Sequence, residues 1–157
     1  MNEFTAKKIG EVLAFAEVGV ETFEKGKNAL IEVFGAERVD EIINKTKQHG
    51  KTLNYSLQGS SMLEIVDKKV IGTGEKLRHM RDYYVGDEWD NSTELLEWSG
   101  FFEGAAIVHW ALVETSVLES GLNDLSDFAR EIGDFHKKIL EECSEKLKEL
   151  GKKRGRE

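Results

Sequence analysis

The chain has 157 residues, of which 30 are acidic and 22 basic, giving a net charge of -8 at neutral pH. That length suits one domain with a single core, and the acidic balance excludes nucleic acid as the main partner, because phosphate binding needs a basic surface. The single cysteine, Cys143, excludes an intramolecular disulfide and any CxxC metal motif, and fits a reducing interior.

Proline is absent and apolar residues recur at three- and four-residue steps, which makes the chain all-α. A first helix is expected from about Glu3 to Phe34, on Ile9, Leu13, Ala16, Val20 and Phe23. Gly26 is placed to kink it and Gly35 to stop it. A second runs from about Glu37 to Leu57, and Gly59-Ser60-Ser61 then breaks the chain, with a serine suited to capping the next helix. The third, about Met62 to Val85, has Gly72 and Gly74 to loosen its middle. Ser92 is a suitable N-cap for the fourth, about Thr93 to Glu119. That helix is apolar nearly all round, the pattern of the most buried member of a bundle. Gly121-Leu122-Asn123 turns the chain into a last helix from about Leu125 to Leu150.

Short turns join helices one to two and four to five, so each pair is expected to be antiparallel. The two hairpins are joined by a long crossover, about Gly59 to Asn91, that contains its own helix. Residues 1–150 read as one helical-bundle domain and residues 151–157 as a basic, disordered tail. The start, MNEFTAKKIGEVL, lacks the apolar region of a secretory signal. Glu103, His109 and Glu114 interrupt the most apolar run, Phe101 to Leu118, and argue against a membrane span. These features lead to the expectation of a cytoplasmic protein. One third of the residues are charged and only Gln48 and Gln58 are glutamine, a balance that leans toward a thermophile.

Four ionisable residues stand out. His49 and His136 lie on the apolar stripes of their helices, and Glu17 and Glu103 sit in the apolar stretches LAFAEVGVE and SGFFEGAAIVHWAL. Burying such groups is costly unless they are paired or bound to a metal. Inward glutamates and histidines on facing helices are how bundle proteins hold iron or manganese.

With these residues in place, the pattern resembles the ferritin-like superfamily, most closely rubrerythrin-type proteins. The resemblance implies an antiparallel four-helix bundle whose first and third bundle helices each give one glutamate. The second and fourth each give a Glu-x-x-His pair. The stretch Ala16-Glu17-Val18-Gly19-Val20-Glu21 is similar to the family's first-helix signature, and Glu103 takes the equivalent place on the third bundle helix. Thr46-Lys47-Gln48-His49 and Gly133-Asp134-Phe135-His136 stand at the two pair positions. Both keep histidine and lose glutamate, which is Thr46 in one and Gly133 in the other. Without those bridging carboxylates, two cations about 3.5–4 Å apart lack the negative charge that offsets their repulsion. What remains is a set for one Fe, Mn or Zn ion, with Glu17, His49, Glu103 and His136 as ligands. The resemblance further implies redox or peroxide chemistry fed by an external electron donor.

Each residue has a plainer reading beside it. A histidine on an apolar stripe also serves as a hydrogen-bonded core residue, the role expected of His109; His79 is expected to face solvent. Glu17 stands at a stripe edge and can reach water or a lysine, and Glu103 or Glu114 can pair with an arginine such as Arg130. Cys143 reads as a small apolar filler. The alternative function is a metal-free scaffold that acts by self-association, as a homodimer, or by binding a partner protein through exposed apolar surface.

Overall fold

The computed structural model describes all 157 residues, as six helices with no strand: α1 (Glu3–Lys25), α2 (Lys27–Phe34), α3 (Ala36–Ser56), α4 (Leu63–Val85), α5 (Ser92–Glu119) and α6 (Asn123–Arg154). The first expected helix is thus two. Gly26 separates them, and a Cβ there would lie 2.5 Å from the buried Leu95 methyl, so the break seats α1 against α5. Asn2 caps α1 by accepting a bond from the Thr5 amide at 2.9 Å. At α5 the cap is Asn91 rather than Ser92, because the Asn91 side chain accepts from the amides of Thr93 and Glu94. Gly72 and Gly74 leave α4 unbroken, and α6 continues through the basic residues to Arg154.

Close pairs give the helix directions. Lys47 bonds Glu24 at 2.5 Å and Lys27 bonds Asp40 at 2.6 Å, so α1 with its extension α2 runs antiparallel to α3. Ser126 bonds the Glu114 carbonyl and His136 bonds Glu103, so α5 and α6 are antiparallel. Phe15 stacks near Phe102 while Gly26 meets Leu95, which sets α1 antiparallel to α5. Arg38 grips Glu142 at 2.7 and 3.0 Å, and His49 lies against Phe128 and Phe135, which brings α3 to α6. Side chains therefore close a ring of α1, α3, α6 and α5.

The crossover helix α4 lies outside this ring, parallel to α1. Its approach depends on Gly10, where a Cβ would sit 2.6 Å from the Val66 carbonyl oxygen. Farther along, Arg78 holds Glu21 through two bonds of 2.7 and 2.8 Å, which keeps the Glu21 carboxyl below the usual carboxylate range although partial burial opposes this. The buried Arg81 and Lys25 both lie over the ring of Trp89, so this loop tryptophan fastens the start of the α4–α5 connection to α1.

The core is continuous, from Ile9, Val12 and Phe15 of α1 through Ile42 and Leu53 of α3 to Leu96, Trp98 and Trp110 of α5 and Ile132 and Ile139 of α6. The apolar character of α5 is not explained by central burial, however. By length and composition it could cross a membrane, with a mean hydropathy of 1.3 over 18 residues, yet only 33% of the residues in that window are buried. One side packs on α6 and α1; the other carries Phe101, Val108 and Leu112 into solvent.

Candidate functional site

Two of the four expected ligands meet. Glu103 and His136 are both buried in the centre of the ring, and His136 Nδ1 donates a hydrogen bond to Glu103 Oε2. The antiparallel pairing of α5 with α6 puts these positions at the same height. Beside them lies a cavity of about 10 Å³, walled by Phe15 and Gly19 of α1, Ile42 and Thr46 of α3, and Phe102 of α5. That is about the space of one water molecule. Thr46 lines it, but its hydroxyl is already committed to the Ile42 carbonyl at 2.7 Å.

His49 stands at the edge of this centre and is only half-buried. Its ring meets Phe135 edge-on at 5.0 Å, and Phe135 in turn lies 5.4 Å from His136. Its Nδ1 is buried without a hydrogen-bond partner among the protein's groups. Burial, aided by the nearby His136 and Lys45, pushes the imidazole down to about 4, so the ring is neutral at neutral pH. On the solvent side it borders an open cleft of about 430 Å³ that also contains Lys45, Glu131, Asp134 and Lys138.

Glu17 does not join the others. It is exposed, and its carboxylate lies 3.7 Å from Arg78 on the outside of the ring. The reason is helical phase. Glu17 is two residues from both Phe15 and Gly19 and so stands about 160° around the helix from each. Val20 and Phe23, which complete the α1 wall of the cavity, are about 60° and 120° from it, and the carboxylate turns outward to Arg78 instead. At the height of the Glu103–His136 pair α1 therefore presents no carboxylate. No three His, Cys, Asp or Glu side chains anywhere in the chain converge as a metal would require. The four-ligand set expected for one Fe, Mn or Zn ion does not fit this arrangement: one donor is outside and two others are bonded to each other.

His109, Glu114, Glu11 and Cys143 serve structure. His109 Nδ1 lies 2.7 Å from the Ala105 carbonyl, one turn back on its own helix. Glu114 takes Arg130 at 2.8 Å, the pairing considered from sequence. Glu11, nearly buried, is held by Lys8 and Lys69 at 3.1 and 3.2 Å, and they bring its carboxyl below the usual range although burial pushes the other way. Cys143 is fully buried and burial pushes its thiol up to about 12, which leaves it an inert filler.

Sequence reasoning missed the direct contact of Glu103 with His136 and the outer face of α5. The first was implicit in the hairpin: once α5 and α6 are antiparallel about Gly121, the two positions must pass each other. The second was visible as the lack of any charged residue on one side of α5 between Glu97 and Glu119. No protein-family model matches the chain, and no curated protein and no solved structure matches it either.

Proposed function

We propose that the chain is a ferritin-like helical scaffold that works by protein association through the outer face of α5. The buried Glu103–His136 pair then serves as structure. The observation that carries this reading is the exposure of Phe101, Val108 and Leu112 along one uncharged side of α5, in a chain where one residue in three is charged. Exposed apolar surface of that kind marks an interaction site more often than it occurs by chance. The arrangement of the centre is consistent with it: acid and imidazole are spent on each other, and α1 offers no carboxylate at that height.

A second reading draws on the unpartnered ring nitrogen of His49. In it, Glu103 and His136 release each other and their side chains move with His49 to converge on one Fe, Mn or Zn ion, and an external donor supplies electrons for redox chemistry. Elemental analysis after loading with Fe(II), Mn(II) or Zn(II) and removal of excess decides between the two. Substoichiometric metal is expected. Stoichiometric metal that is lost in His136→Ala and in His49→Ala overturns the scaffold reading.

A further inference from the structure

We infer that the partner of the α5 face is a second copy of this chain, docked antiparallel about a twofold axis at Val108. This rests on the reading of that face as the working surface, and names its occupant.

The uncharged strip begins after Glu97 and ends before Glu119, and Val108 is its midpoint. Phe101, Gly104, Val108, Leu112 and Thr115 all lie within about 40° of Val108 on the helix wheel. An antiparallel copy crossing at Val108 sets each residue opposite the one equally far beyond the midpoint. Leu112 then faces Gly104 of the other copy, and Phe101 faces Thr115. Each large side chain meets a small one, twice over, because the same surface is used by both copies. The space over Gly104 is open: a Cβ there would touch nothing within 4 Å. A hole is thus available for Leu112 without any rearrangement of the monomer.

Extent supports the same occupant. At one end Phe101 packs on the buried Trp98 and Trp98 on the half-exposed Tyr84 beside Glu97, with ring centroids 5.7 Å apart at each step, so Tyr84 adds apolar surface at the border of the strip. At the other end Phe4 and Leu112 line one surface hollow. Phe4, Tyr84, Phe101, Val108 and Leu112 are 41 to 63% exposed. An aromatic side chain has about 150–250 Å² to bury and a branched one less, so these residues leave on the order of 450 Å² of apolar surface. A stable interface covers about 800 Å² per partner, a little over half of it apolar, so the strip is the size one side of a dimer needs. A lipid surface is a poorer match, because a membrane-lying helix places basic residues beside its apolar face and this chain is acidic.

Sedimentation equilibrium of the full chain tests the pairing, with Val108→Glu, Gly104→Leu and a cysteine pair of variants. The wild-type chain is expected to be a dimer. Val108→Glu puts two carboxylates on the axis, and Gly104→Leu fills the hole while leaving the monomer's own packing untouched. Each should weaken the dimer at least about tenfold. Val108→Cys should cross-link to itself under mild oxidation, whereas Tyr55→Cys, exposed on α3, should not; the buried Cys143 contributes no background. A dimer that both α5 variants leave intact, or equal cross-linking at the two cysteines, overturns this pairing alone. A chain that stays monomeric at about 100 μM also overturns it, and flotation of that monomer with phosphatidylcholine vesicles would assign the face to lipid. Failure of the scaffold reading is separate, since it shows as metal bound at Glu103 and His136.

Discussion

The inward and outward sides of α5 handle awkward groups in opposite ways. Inward, Glu103 is an ionisable residue in an apolar core, tolerated because His136 arrives from α6 to meet it. Outward, Phe101 and Val108 are apolar residues in water, with nothing in the chain arriving to cover them. A single helix therefore carries one need met internally and one left open, and an open need is the better guide to what a protein does.

The largest effect is expected at the centre. Glu103→Ala leaves the imidazole buried without its acceptor and should cost about 3–5 kcal/mol, read as a shift in the urea midpoint. The double variant Glu103→Leu with His136→Leu removes both partners and should return to within about 1 kcal/mol of wild type. If the double variant is instead as unstable as the single one, the pair is not an isolated structural unit.

Next comes Gly10. Gly10→Ala forces α4 away from α1 by contact with the Val66 carbonyl, which is backbone and cannot swing aside. About 1–3 kcal/mol of destabilisation is expected in thermal or urea unfolding. Unchanged stability would mean that the crossover helix is held loosely.

A smaller effect comes from His49. Its imidazole is held neutral in the fold, with a folded value of about 4 against an ordinary 6.5. Above the ordinary value both folded and unfolded chains carry the neutral ring and nothing is lost. As pH falls from 6.5 toward 4 only the unfolded chain gains the proton, so stability is lost across that window. With allowance for solvent screening of a half-buried ring, the loss should be about 1–2 kcal/mol. Urea unfolding at several pH values, beside His49→Phe, isolates it from the carboxylates, because the variant should lose less than wild type on acidification. Equal losses would place the ring in solvent.

The smallest effect on stability belongs to the outer side. Val108→Glu should change the unfolding free energy of the dilute monomer by no more than about 0.5 kcal/mol. A large loss would mean that Val108 is packed, and the contrast between the two sides would fail.

The helices were legible because the chain has no proline and a glycine stands at or near most of the breaks between them, although other glycines, such as Gly10, Gly72 and Gly74, lie inside helices. Four glycines, Gly35, Gly59, Gly86 and Gly121, adopt positive φ at or near helix ends. The joint height of Glu103 and His136 was legible from the two-helix hairpin. Glu17 was not, for a definite reason. α1 touches α3, α4 and α5, so apolar residues occupy most of its circumference and its stripe does not reveal which side faces the centre. The same ambiguity works in reverse on α5: apolar residues all round read as burial from every side, whereas part of that circumference faces water. Sequence periodicity locates a face when a helix has one partner, and loses resolution when it has three partners or an absent one.

Native mass spectrometry of the full chain after exposure to Fe(II), Mn(II) and Zn(II) tests the central claim most directly, because it weighs association and metal in one spectrum. The expected result is a species at twice 17.8 kDa with no added metal mass. A species at 17.8 kDa carrying one bound metal ion would contradict it.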